Sequence, residues 1–184
     1  AWTANGIARA NYGAPGLRGT GAGREVLIHH TDTSQGEPRG GVTALRADVV
    51  FLQEVQGAHQ RQSDRHRNWP LEPQHEFLAG RTATEAEVVH TAYGMNAVYQ
   101  DGHHGNAVLS RHPIVLAENT DISHHALESR GMLHCEMAVQ GWDAPLHCIN
   151  VHLGLWARSR KLQIERIAER IRSEVPDSAQ LVLA

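Results

Sequence analysis

Asp48-Val49-Val50-Phe51-Leu52-Gln53-Glu54 is the stretch on which the fold turns. Its four consecutive apolar residues, two of them β-branched, predict a strand buried on both faces. The strand ends in a carboxylate. Burying an unpaired carboxylate costs several kcal/mol, so Glu54 must reach solvent, pair with an arginine or hold a cation. A second stretch has the same form. Leu146 to Leu153 reads as a buried strand that presents Asn150 and His152 at its end. Gly154 then lets the chain turn, and from about Ala157 to Val175 the period becomes helical. Strand-to-helix corners are where α/β proteins usually place chemistry. The two corners are expected to face one site.

The rest of the chain fits around these strands. Residues 1–23 are dense in glycine and without period, so a loose tail is expected, followed by a domain over 24–184. Val26-Leu27-Ile28 reads as a short strand and Val42 to Arg46 as one or two helical turns. Ala58 to Asn68 reads as an exposed helix or loop, and the prolines of Trp69 to Pro73 exclude a helix there. His75 to Leu78 reads as the start of a helix. Ala97-Val98-Tyr99 and Asn106 to Ser110 read as strands around a turn at residues 100–105. Pro113 permits only an edge strand or a break before Ile114. Met132 to Val139 and the strand from Leu146 form a predicted hairpin around Gln140 to Asp143, which sets Cys135 opposite Cys148 as free thiols. On the last helix, Ile164, Ile167, Ala168, Ile171 and Val175 make one apolar stripe, with the arginines as a solvated face. Leu181-Val182-Leu183 begins a buried strand.

Composition narrows the function. With 184 residues and 41% hydrophobic content the chain is one globular domain with a sizeable core. A net charge of -3 gives no basic footprint for bulk nucleic-acid binding. Two cysteines do not make a disulfide framework. No apolar run has transmembrane length and no signal peptide is evident, so a cytoplasmic protein is expected. The 14 histidines permit metal or acid-base chemistry. Their adjacent pairs point to opposite sides of a strand, and no Cys-x-x-Cys or His-Glu-x-x-His spacing supports zinc.

Five residues carry the functional reading. Glu54, a hard oxygen donor at a strand end, suits Mg²⁺. His152 can donate to a phosphate oxygen or move a proton, or serve as a core histidine. Asn150 lies on the same side of the strand as His152 and can hold a phosphate oxygen, position His152 or pair with backbone. Asn106 follows a turn whose glycines would let a ligand approach the backbone. Arg130 stands just before a strand and can clamp phosphate.

These pieces resemble the endonuclease/exonuclease/phosphatase family. Asp48 to Val55 is similar to its D-V-V-x-L-Q-E-V strand and Gly105 to Ile114 to its G-N-A-I-L-S-R-x-P-I segment. Ser129 to Leu133 is similar to its x-R-G-x-L strand start, and Asn150 to Leu153 to its N-T-H-L strand. The resemblance implies an α+β fold of two mixed β-sheets packed face to face with flanking helices. It implies Mg²⁺- or Mn²⁺-dependent hydrolysis of a phosphodiester or phosphomonoester, the substrate being nucleic acid, a phospholipid head group or a small phosphoester. In that scheme Glu54 binds metal and His152 and Asn150 are catalytic, while Asn106 and Arg130 contact substrate. Residues 1–44 depart from the family pattern, and its Tyr-Asn pair is missing near Val26 to His30. The Leu181 to Ala184 strand stops before the G-D-F-N motif, and the later Asp-His pair is absent too. A partial domain, weak or inactive by itself, is therefore expected, with open sheet edges available for self-association. The competing expectation is a sandwich domain without chemistry.

Overall fold

The computed structural model describes residues 8–11, 25–30, 47–59, 72–82 and 88–184. Strands β1 (Ala8–Asn11), β2 (Glu25–His30), β3 (Val49–His59), β4 (His90–Tyr99) and β5 (Gly102–Ser110) form one sheet, in the order β1-β2-β3-β5-β4. Strands β6 (Ile114–Asp121), β7 (Gly131–Met137), β8 (Leu146–Val151) and β9 (Gln180–Leu183) form the other, in that order. Helix α1 (Gln74–Thr82) precedes β4, and helix α2 (Ala157–Glu174) joins β8 to β9. Both sheets are mixed: β2 and β3 are parallel, as are β8 and β9, and the remaining pairs are antiparallel.

Three apolar layers hold these elements. Between the sheets, Val49, Phe51, Ala92 and Val108 of the first meet Leu133, Cys135, Met137, Leu146, Cys148 and Val182 of the second. Outside the first sheet, Val50, Leu52, Val55, Ala107 and Leu109 pack on Leu78 and Ala79 of α1. Outside the second, Met132, Ile149 and Val151 pack on Ile167 of α2. The run Val49-Val50-Phe51-Leu52 thus supplies two layers alternately, as its uninterrupted hydrophobicity requires. Each of these side chains contributes about 1.5–3 kcal/mol on burial. The expected two-sheet sandwich with flanking helices is the fold observed.

The local differences have physical causes. Ala8–Asn11, within the expected tail, pairs as a strand with β2. The expected strand at Val26-Leu27-Ile28 lies within β2, while the helical turns at Val42 to Arg46 fall outside the described residues. Ala58, expected in a helix or loop, continues β3, which stays paired with β5 through two register irregularities. The turn between β4 and β5 takes only Gln100 and Asp101, because Gly102, His103 and His104 already pair with β4. In the β7–β8 hairpin Cys135 does face Cys148, and both thiols are free and buried.

The stripe of α2 is rotated from its expected position. Its fully covered residues are Ser159, Gln163 and Ile167, while Ile164 is 53% exposed. The preceding corner explains this. Gly154 N–H donates to Gln163 Oε1 at 2.7 Å, so the first half of α2 buries polar groups that satisfy the corner's amides. Its arginines are not simply solvated. Arg160 donates to the carbonyls of Gly154 and Leu155, and Arg166 to that of Asp121. Arg170 pairs with Glu118 and donates from Nε to His134 Nδ1 at 3.2 Å.

Candidate active site

Above the central apolar layer lies a layer of amides. Asn150 Nδ2, on β8, donates across the sandwich to the carbonyls of Leu52 and Ala107, each at 2.9 Å. Asn106 Nδ2, on β5, donates to Gly131 O at 3.0 Å and Asn150 O at 3.3 Å. Gln53 Nε2 donates to Val151 O at 2.6 Å. Alternation explains the level. Val108 and Cys148 sit in the central core, and Asn106 and Asn150 are each two residues further along on the same face. These side chains lock the open end of one sheet to the other. Both asparagines are fully buried, and their Oδ1 atoms have no hydrogen-bond partner. They form a buried layer next to the ends of β3 and β8.

The site itself forms one step above. Glu54 stands at the first irregularity of β3, where Leu52 pairs with Ala107 but Val55 pairs with Gly105. Its φ is +54°, a left-handed conformation that costs a side-chain-bearing residue about 1–2 kcal/mol. Strain of this kind collects where a side chain must be aimed. Here it brings Glu54 Oε1 to 3.2 Å from His152 Nδ1. The two corners therefore meet, as their sequences imply. The Glu54 side chain is 47% exposed and that of His152 21% exposed, so the pair lies at a surface.

Arg130 enters from the start of β7. Its guanidinium donates to Ser129 O and stands 3.8 Å from Glu128 Oε1. Its charge also acts on His104. Glu128 was not recognised as a candidate, and its polar loop offered no signal. It is buried and accepts the Leu155 N–H at Oε1, 2.6 Å away. Burial pushes its carboxyl up, but the Leu155 amide, Arg130, Ser159 and His125 together hold it below the usual range. A Cβ on Gly154 would lie 2.3 Å from Glu128 Oε2, so a side chain there would displace the carboxylate. Glu128 thus fastens the Arg130 loop to the corner after His152.

Glycine has another task on β5. A Cβ on Gly105 would lie 1.9 Å from the Gly94 carbonyl oxygen. At Gly105 the close approach is to the backbone of β4. Beside it, Tyr99 Oη lies 2.9 Å from His104 Nδ1 and Tyr93 Oη lies 2.9 Å from His103 Nδ1. Tyr93 also stacks on His75, with ring centres 4.5 Å apart.

The donor set fits a hard divalent cation better than zinc. Among the described residues no three His, Cys, Asp or Glu side chains converge. Glu54 offers carboxylate oxygen, a hard donor, at the surface of the protein. Mg²⁺ needs only one or two carboxylates, with phosphate and water completing its shell.

A sequence profile of the endonuclease/exonuclease/phosphatase family matches residues 35–183. "Uncharacterized protein YbhP" of Escherichia coli is 42% identical over 148 residues, 80% of this chain and 56% of that protein. The chain therefore spans little more than half the length of this relative. Among solved structures, an endonuclease/exonuclease/phosphatase family protein from Leptotrichia buccalis aligns with a TM-score of 0.66 at 14% identity, covering 87% of this chain and 66% of the other. A mannosyl-6-phosphatase from Bacteroides thetaiotaomicron aligns at 0.57 and 12% identity, covering 79% and 52%. At such identities these two likenesses are of fold. No helix among the described residues is long and apolar enough to cross a membrane.

Proposed function

This chain belongs to the endonuclease/exonuclease/phosphatase family, and from that premise we propose that it carries the phosphate-binding site of a Mg²⁺- or Mn²⁺-dependent phosphoesterase. The observation that carries the reading is the Glu54 Oε1–His152 Nδ1 contact of 3.2 Å across two sheets. Glu54 would hold the cation through its remaining oxygen. A divalent cation bound there supplies neutralisation of the charge that develops on a phosphoryl oxygen. His152, held by Glu54 at Nδ1, would donate to a phosphate oxygen as charge accumulates. Asn150 and Asn106 act as positioning residues, fixing the strand ends that present Glu54 and His152. Arg130 adds positive charge at the rim, oriented by Glu128.

The substrate in this reading is a phosphodiester or phosphomonoester. The test uses metal binding instead of turnover. Mn²⁺ added to the isotopically labelled chain should broaden resonances of Glu54 and His152 first, and Glu54→Gln should abolish the effect. Broadening that is absent, or centred elsewhere, would replace this reading with that of a sandwich domain without hydrolytic chemistry.

A further inference from the structure

Strand β5 runs regularly from Gly102 to Ser110 while its neighbours absorb the irregularities. Three residues of β3 span two of β5 between Leu52 and Val55, and again between Gln56 and His59. On β4 the extra residue lies between Met95 and Ala97. The side-chain alternation of β5 is therefore unbroken. Val108 faces the opposite sheet in the central core. Asn106 belongs to the amide layer through Gly131 O and Asn150 O. His104, two residues further, lies on that same inner face one step above. Strand β8 and the residue just past its end keep the same order: Cys148 in the core, Asn150 in the amide layer, His152 at the rim. His104 and His152 thus occupy equivalent steps on opposing sheets.

The surroundings of His104 agree with this placement. The charges of Glu54 and Arg130 both act on it, in opposite directions. Tyr99 pairs with Gly102, which puts it on the same face as His104. Its hydroxyl lies 2.9 Å from Nδ1, with the ring centres 5.5 Å apart. Burial and the Glu54 carboxylate push the Tyr99 hydroxyl up, so it stays protonated and can donate. A neutral imidazole that accepts at Nδ1 carries its proton on Nε2.

We propose that His104, held by Tyr99 as the Nε2–H tautomer, is a further phosphate-contacting residue, donating to a phosphoryl oxygen from the sheet opposite His152. The inference rests on the phosphate-site reading of Glu54 and His152 but assigns a residue that reading does not use. Tyr99 is a positioning residue: it touches His104 and not the phosphate.

The experiment is a titration of the histidine-labelled chain with inorganic phosphate in the presence of Mg²⁺, following the imidazole Cε1–Hε1 resonances. The His104 and His152 signals, assigned through single variants, should move together along one saturating curve. His104→Ala should weaken phosphate binding about tenfold, the size of one charge-assisted hydrogen bond. His104→Gln, whose amide N–H stands near the position of Nε2–H, should recover much of that loss. Tyr99→Phe should also weaken binding while leaving backbone resonances outside β4 and β5 in place. Saturable movement of His152 with a still His104 would overturn the proposal and leave the Glu54–His152 site standing. Movement of neither would overturn both. An equal loss in His104→Ala and His104→Gln would also overturn it, because a contact made through Nε2–H must tolerate the amide.

Discussion

Replacing Asn150 separates a tie between sheets from a group that touches substrate. Its amide is fully buried and donates to two carbonyls, Leu52 O and Ala107 O, both at 2.9 Å. Asn150→Ala removes both donors and leaves the carbonyls facing a small cavity. Each buried acceptor left unmatched costs about 1–3 kcal/mol, so a loss of about 2–6 kcal/mol is expected for the two. That is a large share of the 5–15 kcal/mol typical of a domain. Asn150→Asp keeps the volume but reverses the chemistry. Its carboxylate cannot donate, and it meets two carbonyl oxygens without water. At pH 8 it should therefore be less stable than Asn150→Ala. Burial and the carbonyl dipoles raise the folded-state pKa of this aspartate above the unfolded value of about 3.9. Its penalty is full above the raised pKa and fades as pH falls through it, because the protonated acid regains one donor. Across that window the difference between the two variants should shrink by about 1.4 kcal/mol per pH unit. Urea unfolding followed by circular dichroism from pH 8 to pH 5 measures it. Asn150→Asp matching Asn150→Ala at pH 8, with no pH dependence between them, would refute the reasoning.

Other perturbations probe the remaining elements. Glu54 has φ +54°, so Glu54→Gly should be more stable than Glu54→Ala by about 1 kcal/mol in urea titrations; equal stabilities would mean that the strain is absent. Burial, Arg170 and His147 hold the His134 imidazole below its ordinary value of 6.5. The unfolded chain then binds more protons below that value, so stability present above pH 6.5 should fall as pH drops beneath it, and His134→Gln should flatten that part of the urea-midpoint profile. Cys135, whose thiol burial pushes up to about 12, and the equally buried Cys148, pushed up further, should resist iodoacetamide in the folded chain and react after unfolding, as read by mass spectrometry. Arg170→Met leaves the buried His134 Nδ1 without its donor and should cost about 1–3 kcal/mol in the same urea assay.

How far the sequence reaches depends on the kind of signal. Apolar runs are read well because a doubly buried strand has no alternative use for Val49-Val50-Phe51-Leu52. The meeting of Glu54 with His152 was legible for the same reason, since polar groups at the ends of buried strands have few places to go. What failed was amphipathicity on α2. Counting apolar residues put Ile164 inside, but the helix buries Gln163 to satisfy Gly154. A hydrogen bond between residues nine apart leaves no trace in hydrophobic period. Glu128 was invisible in the same way, because its partner Leu155 lies 27 residues on.

The amide layer resolves why the same short motifs contain both apolar and polar residues. A two-sheet core needs apolar faces, whereas phosphate chemistry needs polar groups and water nearby. Direct contact between the two would leave strand-end carbonyls buried without donors. Asn106, Asn150 and Gln53 occupy the boundary and give those carbonyls their donors. The residue next to Gln53 is Glu54, and two beyond Asn150 is His152, so the residues that close the core also set the angle of those above it. Motif spacing therefore encodes depth: one step along a strand face separates core from tie, and the next separates tie from site. His104 follows from that rule, two residues beyond Asn106 as His152 is two beyond Asn150.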